Sequence, residues 1–201
     1  MKKFIAVFVI LIVLITFWPI NFWDRNVNSP NTNYMPLEQL PEDYSLENAK
    51  ADKCVVYENG DITHGQSIWN SFAAQARKGK AVTVRLAYYY TLDDSSHYSK
   101  EYYESIKDDY PVLYVKDLSF DGNKYRVEGY EDSKLYEKDY NYMMKYEGEP
   151  RSPSAVFSKY TRYVLVNDNT ATWEDIEDGA VSSQSGAYID NYPVYTDLIW
   201  K

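Results

Sequence analysis

A single cysteine, Cys54, in a chain of 201 residues leaves no partner for an intramolecular disulfide, so packing alone has to hold the fold. Histidine is nearly as scarce. His64 and His97 have no second histidine or cysteine three or four residues away, the spacing a zinc site needs, and no metal is expected. Basic residues are in deficit, 21 Lys and Arg against 30 Asp and Glu, for a formal charge of -9. Polyanions bind by releasing counterions to clustered Lys and Arg, so a nucleic-acid partner is disfavoured, as are anionic lipid headgroups. No catalytic or cofactor signature stands out.

What is present begins with an oily leader. Met1, Lys2 and Lys3 precede Phe4 to Trp18 without a charge, and Pro19, Ile20, Asn21, Phe22 and Trp23 follow. Such a run is at the short end of what spans a ~30 Å hydrocarbon core. Its flanks lack the small residues of a cleavage site, and Cys54 is too distant for lipid attachment. Residues 1–23 therefore read as an uncleaved signal anchor, a single transmembrane helix with Trp18, Phe22 and Trp23 as an aromatic belt. Lys2 and Lys3 place the N-terminus in the cytoplasm. The rest of the chain is then extracytoplasmic, and the membrane is its first expected partner.

Residues 24–43 are rich in Asn and Pro and read as an extended linker. Residues 44–201 read as one α+β domain, a largely antiparallel twisted sheet of five or six strands packed by a main helix at about 64–78. Ser45, Ser99 and Thr172 are N-cap candidates for short helices. Asn59-Gly60 spells a tight turn, and Thr63-His64-Gly65-Gln66 reads as a capping box opening the main helix. Strict alternation marks a strand at 81–92. Further strands are expected at 112–120, 124–130, 134–146, 155–166 and 194–200, with a hairpin turn at Asp121-Gly122-Asn123.

The runs Tyr44-Ser45-Leu46-Glu47-Asn48-Ala49, Cys54-Val55-Val56, Asn59-Gly60-Asp61 and Gln66-Ser67-Ile68-Trp69 resemble an uncharacterised domain family of Gram-positive bacterial surface proteins. Tyr110-Pro111-Val112-Leu113-Tyr114, Met144-Lys145-Tyr146-Glu147-Gly148 and Tyr163-Val164-Leu165-Val166-Asn167-Asp168 are similar to the same group. The resemblance covers most of residues 44–201. It implies a cell-surface setting and transfers no catalytic residue.

Tyrosine is the unusual abundance, 22 residues. Tyr88, Tyr89 and Tyr90 occupy consecutive strand positions, so both faces of that strand carry a ring. With His97 and Tyr98 in the following loop they are the candidate ligand-binding residues. Amphipathic rings on a rigid sheet grip a cell-wall polymer or an envelope protein; the plainer reading is that tyrosine replaces Phe and Leu in a half-buried sheet. The leading expectation is a non-enzymatic binding domain. Alternatives are an envelope hydrolase using carboxylates among Asp93, Asp94, Glu101 and Glu104, and an accessory subunit of a membrane complex. A Cys54–His64 nucleophile pair is weighed against a small buried core thiol, and the core reading prevails.

Overall fold

A computed structural model describes residues 34–131 and 134–201. The expected anchor at 1–23 and the first ten linker residues lie outside the described residues. Among those described, no helix is long and apolar enough to cross a membrane.

Local chemistry sets the first elements. Ser45 and Asn48 cap each other at the start of α1 (Leu46–Ala51), the side chain of each accepting the other's backbone N–H. Strand β1 (Val55–Glu58) turns back into β2 (Asp61–His64) through Asn59 and Gly60, both at positive φ, 52° and 95°. A two-residue hairpin of the I′ kind requires this.

The capping box expected at Thr63 does not form. Thr63 donates to Glu58 Oε1 instead, 2.7 Å away, because residues 61–64 are in a strand. Helix α2 (Gln66–Arg77) starts from Gly65 at φ 82°, where a Cβ would stand 2.5 Å from the Cys54 carbonyl oxygen. Only glycine satisfies both the dihedral and the contact. Trp69, Phe72 and Ala76 form its buried stripe.

Strand β3 (Val82–Tyr90) leads through a connection to α3 (Lys100–Ile106), whose cap Ser99 accepts the Tyr102 N–H. Then follow β4 (Val112–Phe120), β5 (Tyr125–Glu131), β6 (Lys134–Tyr140), β7 (Tyr142–Gly148), β8 (Phe157–Val166), α4 (Trp173–Val181) and β9 (Asn191–Trp200). The α+β class holds, in a more elaborate form than one antiparallel sheet. Six strands form a mixed sheet in the order β2-β1-β3-β4-β5-β6, with β1 parallel to β3, and β7-β8-β9 form a second, antiparallel sheet.

The single strand expected at 134–146 is two strands in two sheets. A straight strand would put Tyr140 and Tyr142 on one face. Instead Tyr140 is 1% exposed and Tyr142 40%, and the chain changes sheet at Asn141, whose N–H donates to Asn167 Oδ1.

Three apolar layers result. The principal core lies between the large sheet (Val84, Leu86, Leu118, Val127), α2, and the inner face of the second sheet (Leu165, Val194, Tyr195). Ala49, Cys54, Val56 and Ala87 seal the opposite face of the large sheet, while α4 covers Val164 and Val166 on the second sheet's outer face through Ile176. Packing already begins before Ser45: Leu37, expected in the linker, is buried.

Candidate functional site

Tyr88 and Tyr90 share a face of β3, and the β3–β4 register sets Tyr88 directly opposite Tyr114. Toward the core, Tyr88 stacks on Tyr57 with centroids 5.0 Å apart and donates to the Val194 carbonyl at 3.5 Å. Toward the sheet end, Tyr90 meets Tyr114 edge-on at 6.3 Å, and these rings are 37% and 51% exposed. Lys116 lies between these zones. Its Nζ donates to the Tyr192 hydroxyl at 2.5 Å and sits 5.2–5.9 Å from the ring centres of Tyr88, Tyr136 and Tyr192. Burial alone would lower its pKa, but the Tyr192 and Tyr136 hydroxyls hold it above the ordinary lysine value. The ammonium therefore fills its own aromatic enclosure.

Cross-strand glycine makes room for this. Gly129 faces Tyr136, and a Cβ there would stand 2.8 Å from the Tyr136 hydroxyl and 3.0 Å from two ring carbons. Gly148 and Tyr160 repeat the arrangement in the second sheet.

The other expected residues are placed apart from this row. Tyr89 projects to the opposite face of β3, as alternation requires. His97 is exposed and bonded through Nδ1 to Asp93 at 2.8 Å; that bond holds Asp93 below the usual carboxylate range and His97 above its ordinary value. Tyr98 packs on Tyr102 and Tyr103. The structure thus joins Tyr88 and Tyr90 with Tyr114, Lys116, Tyr136 and Tyr192. No family model matches the chain, and no curated protein or solved structure matches it either.

Three of the four hydrolase candidates, Asp93, Asp94 and Glu104, have local partners. Asp94 accepts the Ser96 N–H and is held low by Ser96, while Glu104 accepts from Lys107. A general acid at neutral pH needs its pKa raised, the opposite of the direction at Asp93 and Asp94. Cys54 is fully buried with its sulfur 3.8 Å from the Tyr44 hydroxyl, and burial pushes its thiol up to about 11.

A second concavity, absent from the sequence reading, lies at the far end of the second sheet. It measures about 310 Å³ and is walled by the 149–155 connection, β8 and α4. Arg162 is among its lining residues, with its guanidinium 4.3 Å from the Trp173 ring centre and 4.8 Å from that of Tyr160. The alternation Tyr160, Arg162, Val164, Val166 could have signalled an arginine on a buried strand face. Its counterpart residues on α4 could not be paired with it from sequence.

Proposed function

We propose that this chain is a non-enzymatic binding module, tethered by residues 1–23 to the outer side of a bacterial cytoplasmic membrane, which grips an uncharged stretch of envelope glycan through Tyr90 and Tyr114. The surface-protein resemblance belongs to the same reading. What carries it is one observation: two exposed rings in contact with each other at the end of paired strands, backed by the Lys116 enclosure.

The physical case rests on rigidity. Ordering a side chain at an interface costs roughly 0.5–1.5 kcal/mol, and rings already fixed on paired strands have met part of that cost. Tyrosine supplies a broad apolar face with a hydroxyl at its edge, which suits the alternating faces and hydroxyls of a sugar chain. A net charge of -9 favours an uncharged polymer over an anionic one.

The test is co-sedimentation of the full-length chain, in non-ionic detergent, with purified peptidoglycan stripped of anionic polymers. The wild type should pellet and the double variant Tyr90→Ala/Tyr114→Ala should stay in solution with an unchanged circular dichroism spectrum. Equal sedimentation of the two, or none of either, refutes the glycan reading. Protease digestion of intact protoplasts tests the tether separately, since the domain should be cleaved from outside.

A further inference from the structure

Arg162 presents a guanidinium whose hydrogen-bonding capacity is unspent. Its side chain is 19% exposed, its Nε is buried without a partner, and its nearest carboxylate oxygen, Glu177 Oε1, is 3.9 Å from Nη1, beyond hydrogen-bonding distance. Among the described residues, none accepts a hydrogen bond from it. The contrast with Arg85 and Arg126 is direct, since each of those forms a two-pronged pair with an aspartate. Stacking between Tyr160 and Trp173 offsets part of the cost of burying the charge, and it also fixes the plane of the fork.

Arg162 lines the cavity. A volume of about 310 Å³ is at the lower end of small-molecule sites, which span ~300–1,000 Å³. Phe157, Ala155 and Pro150 give it an apolar wall. The charge balance narrows the occupant. Arg151, at the rim, is already engaged by Glu174 and Asp178, while Glu149 and Glu177 also line the space. Arg162 has an ion pair with Glu177 at 3.9 Å but, among the described residues, no hydrogen-bonded anion, and the two glutamates oppose more than a single added negative charge.

We propose that this cleft binds a small organic monocarboxylate, its two oxygens taken by the Arg162 fork and its apolar body lying against Phe157, Ala155 and Pro150. A planar two-oxygen acceptor matches a guanidinium edge, and a single negative charge meets less repulsion from the adjoining glutamates than a double one. Glu177 sets the affinity by competing for Arg162. Gly148 contributes indirectly, since it is the absent side chain that lets Tyr160 lie flat beneath the arginine.

Titration calorimetry on the full-length chain in non-ionic detergent, at constant ionic strength and against a micelle blank, tests this with sodium benzoate, benzyl alcohol and inorganic phosphate as probes. Benzoate should bind saturably, and benzyl alcohol and phosphate at least about tenfold more weakly. Arg162→Gln should weaken benzoate by a similar factor. That variant also disturbs the seat of α4, so Glu177→Gln is the second arm: removing the competing carboxylate should tighten benzoate roughly three- to tenfold. Absence of benzoate heat up to millimolar concentrations, a preference for phosphate, or identical benzoate binding in the wild type and both variants overturns the proposal.

Discussion

Arg85 and Asp117 stand opposite each other on β3 and β4 and are joined by two parallel hydrogen bonds, Nε to Oδ1 at 2.7 Å and Nη2 to Oδ2 at 2.8 Å. Their side chains are 1% and 15% exposed. Burial acts to strip the proton from Arg85, but the Asp117 carboxylate more than restores it and its pKa ends above the ordinary value. Such a pair adds little net stability compared with apolar residues, yet it specifies pairing. A one-residue slip of β3 on β4 would turn Arg85 toward the aromatic core without its partner.

Removing one partner strands a buried charge. Asp117→Ala should destabilise the protein by roughly 3–5 kcal/mol in urea unfolding. The double variant Arg85→Met/Asp117→Leu should lose less than that single change. A double variant that loses as much as Asp117→Ala or more would show that the stranded charge is not the source of the loss.

The same guanidinium ties down the chain that enters the domain. Arg85 Nη2 donates to the Met35 carbonyl at 2.7 Å, the Tyr34 ring lies 4.8 Å from the guanidinium, and the Tyr34 hydroxyl donates to the Lys53 carbonyl. Leu37, two residues beyond Met35, is buried. A chain beginning at Tyr44 should therefore be less stable than one beginning at Tyr34 by roughly 3 kcal/mol, from one lost charge-assisted hydrogen bond and one re-exposed leucine. Equal urea midpoints would mean that this segment contributes nothing.

The strap also marks the limit of what sequence conveys. Ser45, Ser99, Thr172 and Asn59-Gly60 are legible because a cap or a tight turn is decided within four residues, and each forms as its residues imply. Residues 34–40 look like linker because polar and proline-rich composition hides one buried leucine and a backbone carbonyl whose partner, Arg85, is fifty residues away. Tyr136, Tyr140, Tyr142 and Tyr146 suggest one continuous strand because parity continues through Asn141, and the change of sheet there is decided by which layer each half packs on. Tyr88 and Tyr90 were legible as a row, whereas Lys116 and Tyr192 join it through strand pairing and the meeting of two sheets. The Arg162 cleft has the same origin, since its walls come from β8, α4 and the 149–155 connection.

Gly129 offers a test that inverts the usual expectation. Glycine in a strand interior ordinarily costs roughly 0.5–1 kcal/mol relative to alanine. Here an added Cβ meets the Tyr136 ring, which would have to leave its hydroxyl contact with Tyr192, 3.3 Å, and its place beside Lys116. Gly129→Ala should thus destabilise by about 1 kcal/mol in the wild type and stabilise by a similar amount in a Tyr136→Ala background. The same sign in both backgrounds would show that the ring moves aside freely.

Cys54 makes stability depend on pH in the alkaline range. Burial raises its thiol from an ordinary 9.0 to about 11. Below pH 9 the folded and unfolded chains both keep the proton, and the contribution is intact. Between pH 9 and 11 the unfolded chain releases its proton while the folded chain holds it, so the unfolded state gains and stability falls as pH rises. The loss should amount to roughly 2–3 kcal/mol by pH 11. Tyr192 and Tyr195, also raised by burial, add their own decline only above the ordinary tyrosine value of 10.0. Cys54→Ala should therefore flatten the unfolding free energy between pH 9 and 10 and leave the steeper fall above pH 10 in place. If denaturant midpoints of the wild type and the variant decline in parallel from pH 9, the thiol is not the group responsible.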